Sequence, residues 1–169
     1  MSESTQQHRQ AAPAAVRCAV VTVSDTRTLE NDRGGELLKT SLAAAGHTVV
    51  RREIVPDDPR RIRALVEELA DATSLDAVLI TGGTGIAARD QTFETISQLL
   101  TKTLPGYGEL FRMLSYEEIG PAALLSRTIG GVIGQVVVLT MPGSPAAVQL
   151  ALDKLILPEL AHVVYEARK

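Results

Sequence analysis

Asp76-Ala77-Val78-Leu79-Ile80-Thr81-Gly82-Gly83-Thr84-Gly85 is the stretch that sets the architecture of this chain. Its first half is a short apolar run of the kind found in strands covered on both faces. Its second half stops that run in glycines, and a helix resumes near Thr92. Strand, glycine loop and helix in succession form the building unit of a parallel sheet. Val16 to Val23 (VRCAVVTV) has the same unbroken apolar character, as does Gln135 to Met141 (QVVVLTM), which closes in Pro142-Gly143-Ser144-Pro145. His47 to Val55 is more polar, as expected of a strand nearer a sheet edge.

Helices fill the intervals. One is expected from Asp32 to Ala45, ending at Gly46 in a left-handed cap. Asp58 is a good N-cap with Pro59 in the first turn, and Ile62, Leu65, Val66 and Leu69 form the apolar stripe that follows. Pro105-Gly106-Tyr107-Gly108 reads as a break, Glu109 to Ile119 as a helix and Pro121 to Ser126 as a short one. Arg127 to Gly134 stays open between strand and loop, because its glycines weaken either reading. From Ala146 the chain carries Val148, Leu152, Leu155 and Ile156 on one helical face, with Pro158 expected to kink or split that helix. The alternation predicts a three-layer α/β fold with a mainly parallel sheet and helices on both faces. Residues 16–169 form a single domain, preceded by a tail at 1–15 without periodicity.

The 169 residues, 45% hydrophobic and 22% charged, are enough for one sizeable core. A net charge of -3 gives no basic surface for nucleic acid. One cysteine excludes an intrachain disulfide, and three scattered histidines do not make a zinc finger. No apolar run reaches membrane-spanning length and the first residues lack a secretory signal's apolar segment, so a soluble, cytoplasmic protein is expected.

Ligands of open parallel sheets bind beyond the carboxyl ends of the strands. Here those ends are Ser24-Asp25-Thr26, Pro56-Asp57-Asp58, Thr81 to Gly85 and Pro142 to Pro145. Each alone is an ordinary turn; four on one rim make a crevice of amides, hydroxyls and carboxylates suited to phosphate. No G-x-x-x-x-G-K-[ST] and no G-x-G-x-x-G occurs, so neither common nucleotide signature builds it. Asp57 and Asp90 follow the second and third strands. Two carboxylates beside substrate phosphates suit magnesium, but Asp57 reads equally well as a turn residue and Asp90 as a cap or a partner of Arg89. Cys18 reads as a core thiol, Arg51 and Arg52 as a solvated face, and Ser24 and Ser144 lack the surroundings of a nucleophile. Tyr107, Phe111 and Tyr116 are the aromatic candidates for stacking on a ring, and helix packing explains the last two equally well.

The ordered set Ser24-Asp25-Thr26-Arg27-Thr28-Leu29-Glu30-Asn31-Asp32, Thr81 to Gly85 with Arg89-Asp90, Pro105 to Arg112, Leu114 to Gly120, Leu125-Ser126-Arg127 and Pro142-Gly143-Ser144 resembles the MoaB/MogA family of molybdenum-cofactor biosynthesis proteins, closer to its MoaB branch. Phe93 departs from the pattern, which has proline there. The resemblance implies a molybdopterin-binding fold, self-assembly as a trimer or hexamer, and magnesium-ATP-dependent adenylylation of molybdopterin with release of pyrophosphate. It makes Asp57 and Asp90 the catalytic and magnesium-holding carboxylates. Ser24, Asp25, Thr81, Gly82, Gly83, Thr84, Gly85, Gly106, Gly108, Glu109, Ser115, Pro142, Gly143 and Ser144 would bind substrate and nucleotide. Other proteins of cofactor assembly are further expected partners. A non-catalytic carrier of the pterin stands as the alternative, and a nucleotide-sensing domain of the same fold as a third.

Overall fold

The computed structural model describes residues 11–169; the first ten residues of the expected tail lie outside it. The parallel core is made by β1 (Arg17–Val23), β2 (Thr48–Val55), β3 (Ala77–Thr81) and β6 (Val136–Met141), with β4 (Lys102–Thr103) and β5 (Gly130–Ile133) added at one side. The order across the six-stranded sheet is β2-β1-β3-β6-β5-β4. β5 pairs antiparallel with both neighbours, so it alone runs against the rest. The polar second strand is at the sheet edge, as its composition predicts.

Alternate residues of β1 enter different cores. Cys18 and Val20 pack with Leu38, Leu42 and Leu160 on one face, while Ala19, Val21 and Val23 pack with Ile62, Val66 and Ile96 on the other. That is the period-2 geometry of a strand covered on both sides. The first face carries α1 (Arg33–Ala44), α4 (Pro105–Ile119), α5 (Pro145–Ala151) and α6 (Leu157–Ala167). The second carries α2 (Pro59–Asp71) and α3 (Thr92–Leu99). Cys18 is the inert core thiol expected: burial, reinforced by the Asp76 charge, pushes it up to about 12.

The caps follow the sequence closely. Asp58 accepts from the Arg60 and Arg61 amides with Pro59 in the first turn, and Gly46 takes φ +86° just beyond α1. The Asp32 carboxylate caps α1 through the Gly35 amide at 2.9 Å. Its other oxygen receives the Thr22 hydroxyl at 2.8 Å and Arg52 at 3.1 Å. Arg52 also pairs with Glu36, so it fastens β2 to α1 rather than lying on a solvated face. At the opposite end of the sheet, Asp76 receives the Arg17 amide at 2.7 Å and the guanidiniums of Arg17 and Arg168.

One expectation changes and two open readings are resolved. Pro105 to Gly108 is the first turn of α4 and not a break. Proline is at home in a first turn, and Gly108 lets the helix meet the Thr128 carbonyl, which a Cβ would approach to 2.5 Å. The open stretch 127–134 contains β5, whose Gly131 lies against the Lys102 carbonyl of β4, a Cβ there reaching 2.3 Å. The segment expected to kink or split at Pro158 is divided into two α-helices just before it. A π-type turn at Leu152–Ile156 precedes α6 and places Pro158 in its first turn, where the missing N–H costs little.

Gly35 and Gly106 make a matched test. A Cβ on Gly35 would lie 2.1 Å from Asp32 Oδ2 and 2.7 Å from Thr22 Oγ1, whereas one on Gly106 meets nothing within 4 Å. Gly35→Ala is expected to lose about 2 kcal/mol in urea unfolding through overpacking and cap loss. Gly106→Ala should be neutral or gain up to about 1 kcal/mol. Equal effects would remove the assigned role of the Asp32 cap.

Candidate active site

β1 is followed in space by β2 on one side and β3 on the other, so the loops leaving β1 and β3 part company at their carboxyl ends. This switch in strand order opens the crevice. Gly82 shapes its floor. Its amide donates to the Met141 carbonyl at 3.0 Å, its φ is +98°, and a Cβ would stand 2.3 Å from the Val23 carbonyl. Only glycine satisfies both the conformation and the approach. Thr81 Oγ1 donates to the Pro142 carbonyl at 3.0 Å, which ties the loop after β6 to the end of β3.

Two cavities flank this floor. One, of about 300 Å³, is lined by Gly83, Thr84, Gly85 and Asp90 on one wall, by Phe111 and Ser115 of α4 on another, and by Pro142, Gly143 and Ser144 on a third. The other, of about 620 Å³, lies against the Ser24 to Gly34 segment and shares Gly143 with the first. Gly82 and Gly143 touch between them: a Cβ on Gly143 would be 3.4 Å from Gly82 Cα.

The glycine loop presents unused donors. The amides of Gly83, Thr84, Gly85 and Ile86 have no hydrogen-bond acceptor among the described residues. Gly83, Thr84 and Gly85 line the smaller cavity, and successive free amides of this kind are an anion-binding arrangement. Asp90 Oδ2 accepts from the Ala87 amide at 2.9 Å, and Asp57 Oδ1 from the Gln91 amide at 3.0 Å. The Asp57 amide in turn donates to Asp25 Oδ1 at 3.0 Å. Asp57 Oδ2 and Asp90 Oδ1 have no hydrogen-bond partner among the described residues. Thr92 Oγ1, fully buried and unpartnered, faces the Gly83 Cα from the same quarter as Asp57 Oδ2.

The predicted site residues therefore divide. Gly83, Thr84, Gly85, Asp90, Ser115, Pro142, Gly143 and Ser144 surround the smaller cavity, while Ser24 and Gly82 border the larger one. Ser24 Oγ is occupied by the Thr26 and Arg27 amides, and Ser144 Oγ caps α5. Thr81 braces the rim from below. Asp57 and Asp25 line neither cavity and are linked to each other through the Asp57 amide. Gly108 and Glu109 border a separate cavity at the β4–β5 side, and Gly106 faces solvent. Tyr107 is held in the core by its hydroxyl bond to the Thr140 carbonyl at 3.1 Å, and Tyr116 points outward, so of the three aromatics Phe111 alone reaches the crevice. Sequence reading missed Arg127, which donates to the Thr84 carbonyl at 3.3 Å and the Asp90 carbonyl at 3.0 Å; its place in a recognised motif was the available signal.

Asp57 is a strained acid. Burial raises its pKa most; the charges of Asp90 and Asp25 raise it further, against the lowering effects of the Gln91 amide and Arg89. Oxygen donors with unrelieved like-charge repulsion fit a magnesium ion held by one or two carboxylates with water completing its shell. No group of three or more metal-ligating side chains converges among the described residues. A carboxyl whose folded-state pKa is raised favours folding while protonated and costs stability as the pH rises through that pKa. Asp57→Asn keeps the acceptor for Gln91 and cannot ionise. It should melt above the wild type at pH 7, and the difference should vanish below about pH 4. Thermal denaturation from pH 3 to 7 reads this, and a constant difference would mean the Asp57 charge is already balanced.

Comparison with known proteins agrees with this geometry. The family model described as "Probable molybdopterin binding domain" matches residues 19–162. A Bacillus anthracis relative called molybdenum cofactor biosynthesis protein B is 53% identical over 167 residues, covering 98% of this chain and 99% of its own. A crystal structure of a molybdenum cofactor biosynthesis protein B superposes with TM-score 0.90 at 54% identity, covering 93% of this chain and 98% of that one. The tungsten cofactor synthesizing protein MoaB from Pyrococcus furiosus superposes with TM-score 0.83 at 40% identity over 94% of this chain and 100% of its own. With the family model spanning most of the sheet and its loops, the chain belongs to the MoaB/MogA family of molybdopterin-binding domains.

Proposed function

We propose that this protein acts in molybdenum-cofactor biosynthesis by transferring AMP from ATP to the terminal phosphate of molybdopterin. The observation that carries the reading is the run of four unpartnered amides, Gly83 to Ile86, beside Asp90 at the edge of a crevice with two chambers. Two anionic substrates that must meet need such a place. Each chamber takes one of them, and the Gly82–Gly143 contact marks where their phosphates approach.

In the reaction, an oxygen of the pterin phosphate attacks the α-phosphorus of ATP in line. The new P–O bond forms as the bond to the β-phosphate oxygen breaks, and pyrophosphate leaves with the electron pair. The nucleophile is already an anion, so no side chain need remove a proton. Catalysis comes from positioning and from stabilising charge. The free amides hold phosphate oxygens by N–H donation. Asp57 and Asp90 would hold magnesium, directly or through water, and that ion when bound would neutralise triphosphate charge. Phe111 and Ser115 close the inner wall, the first as an apolar surface and the second with a hydroxyl.

Self-association is part of this reading. Leu110, Met113 and Tyr116 on α4, with Leu124 in the following turn, are about half exposed or more, while the equally exposed Ile119 and Leu125 line the smaller cavity. Exposed apolar side chains grouped in this way suit an interaction surface, and a second copy of the chain is the partner they fit. Leu124→Asp with Met113→Glu should lower the assembly state in sedimentation velocity; unchanged assembly would place the interface elsewhere.

Pyrophosphate release from magnesium-ATP, with and without molybdopterin, tests the activity. Release should require molybdopterin, and Asp90→Asn should lower it by about 100-fold with melting little changed. Tight pterin binding without release by the wild type would make the protein a carrier.

A further inference from the structure

Arg127 lies beside a proposed phosphate site, yet its guanidinium is turned to the rear of the glycine loop. It donates to three backbone carbonyls, those of Thr84 at 3.3 Å, Asp90 at 3.0 Å and Gly85. It also pairs with Glu94 and lies over the Phe93 ring, 5.3 Å from its centroid. The side chain is three-quarters buried, and it forms no part of the wall of the smaller cavity.

A trans peptide points its C=O and N–H in opposite directions. Fixing the carbonyls of Thr84, Gly85 and Asp90 on Arg127 therefore turns the amides of Gly85, Ile86 and Gln91 the other way. The Gln91 amide finds Asp57 Oδ1, and those of Gly85 and Ile86 are left without an acceptor among the described residues, Gly85 on the wall of the smaller cavity. A positive charge at the carbonyl ends also polarises these peptide units, which makes their N–H ends better anion donors. The planar fork of arginine suits three divergent acceptors in a way the point charge of lysine does not.

We propose that Arg127 is a positioning residue: stacked on Phe93 and steered by Glu94, it holds the Thr84–Asp90 loop by its carbonyls so that the loop's amides face the substrate phosphates. This rests on the nucleotidyl-transfer reading for its catalytic consequence, though not for the loop's geometry. It also gives Phe93, the residue that departs from the family pattern, a physical task.

The test compares wild type with Arg127→Gln, Arg127→Lys and Phe93→Ala by three readouts: hydrogen exchange of the hydrogen-bonded loop amides of Ala87, Asp90 and Gln91, affinity for inorganic pyrophosphate with magnesium, and molybdopterin-dependent turnover. Arg127→Gln should speed exchange of those three amides by about 10-fold or more while β6 and α6 keep their protection. It should weaken pyrophosphate binding and lower kcat by a similar factor; Arg127→Lys and Phe93→Ala should fall between. Unchanged loop exchange in Arg127→Gln overturns the proposal. So does lost turnover without faster exchange, which would put Arg127 on the substrate itself, and so does faster exchange with undiminished pyrophosphate binding. If Arg127→Gln fails to fold, Phe93→Ala carries the same criteria. A wild type that binds pyrophosphate but never releases it from ATP defeats the transfer reading alone, and the loop and binding readouts still decide the role of Arg127.

Discussion

At Gly82 the ends of β1, β3 and β6 come into backbone contact. The Met141 carbonyl takes its amide, the Val23 carbonyl occupies the space a side chain would need, and Gly143 rests on its Cα. No residue with a Cβ can stand there, because the carbonyl would be 2.3 Å away and φ is +98°. The separation of the two chambers, the exit angle of the glycine loop and the reach of the Pro142–Ser144 segment all follow from this contact. The sheet supplies the rest of the force, since both of its faces are buried and neither core can shift without the other.

The same economy governs charge. Asp32, Asp76 and Asp90 are each held by backbone amides, and the first two are matched by arginines arriving from other elements. Asp57 stands apart. Its amide bond to the loop is outweighed by burial and by two neighbouring carboxylates. A protein tolerates such an arrangement where a ligand will complete it, and the cost is small against the few kcal/mol by which domains exceed marginal stability.

Much of this was readable in advance, for local reasons. β1, β3 and β6 announce themselves because strands buried on both faces need unbroken apolar runs. Asp58, Pro59 and Gly46 act within a few residues of themselves, so the caps are legible too. Most of the rim residues then follow from the rule that loops at the carboxyl ends of parallel strands share a crevice. What was not legible is long-range or too short to carry a pattern. β4 is two exposed residues, and β5 is half glycine because Tyr107, Leu139 and Lys102 crowd its backbone. Arg127 and Arg52 act on partners far along the chain, and nothing in the spacing of either residue distinguishes a carbonyl clamp or a core ion pair from a surface charge. Gly106, Gly108 and Glu109 sit in a sequence motif beside true rim residues, but α4 begins earlier than expected and carries them to another side of the domain.

The position of β3 between β1 and β6 has a consequence for how the chain comes into being. Thr81 pairs with Thr22 on one side and with Met141 on the other, so the centre of the sheet is closed only when a segment from near the end of the chain arrives. During synthesis the first three strands and their helices are complete long before β6 emerges from the ribosome, and in that interval β3 is a bare edge. Such an edge, apolar except for Thr81, is both the template on which the last strand docks and a surface prone to pairing with other chains. Closing it late, through contacts distant in sequence, puts this fold among the slower ones and makes the nascent chain dependent on being shielded until its final third is made.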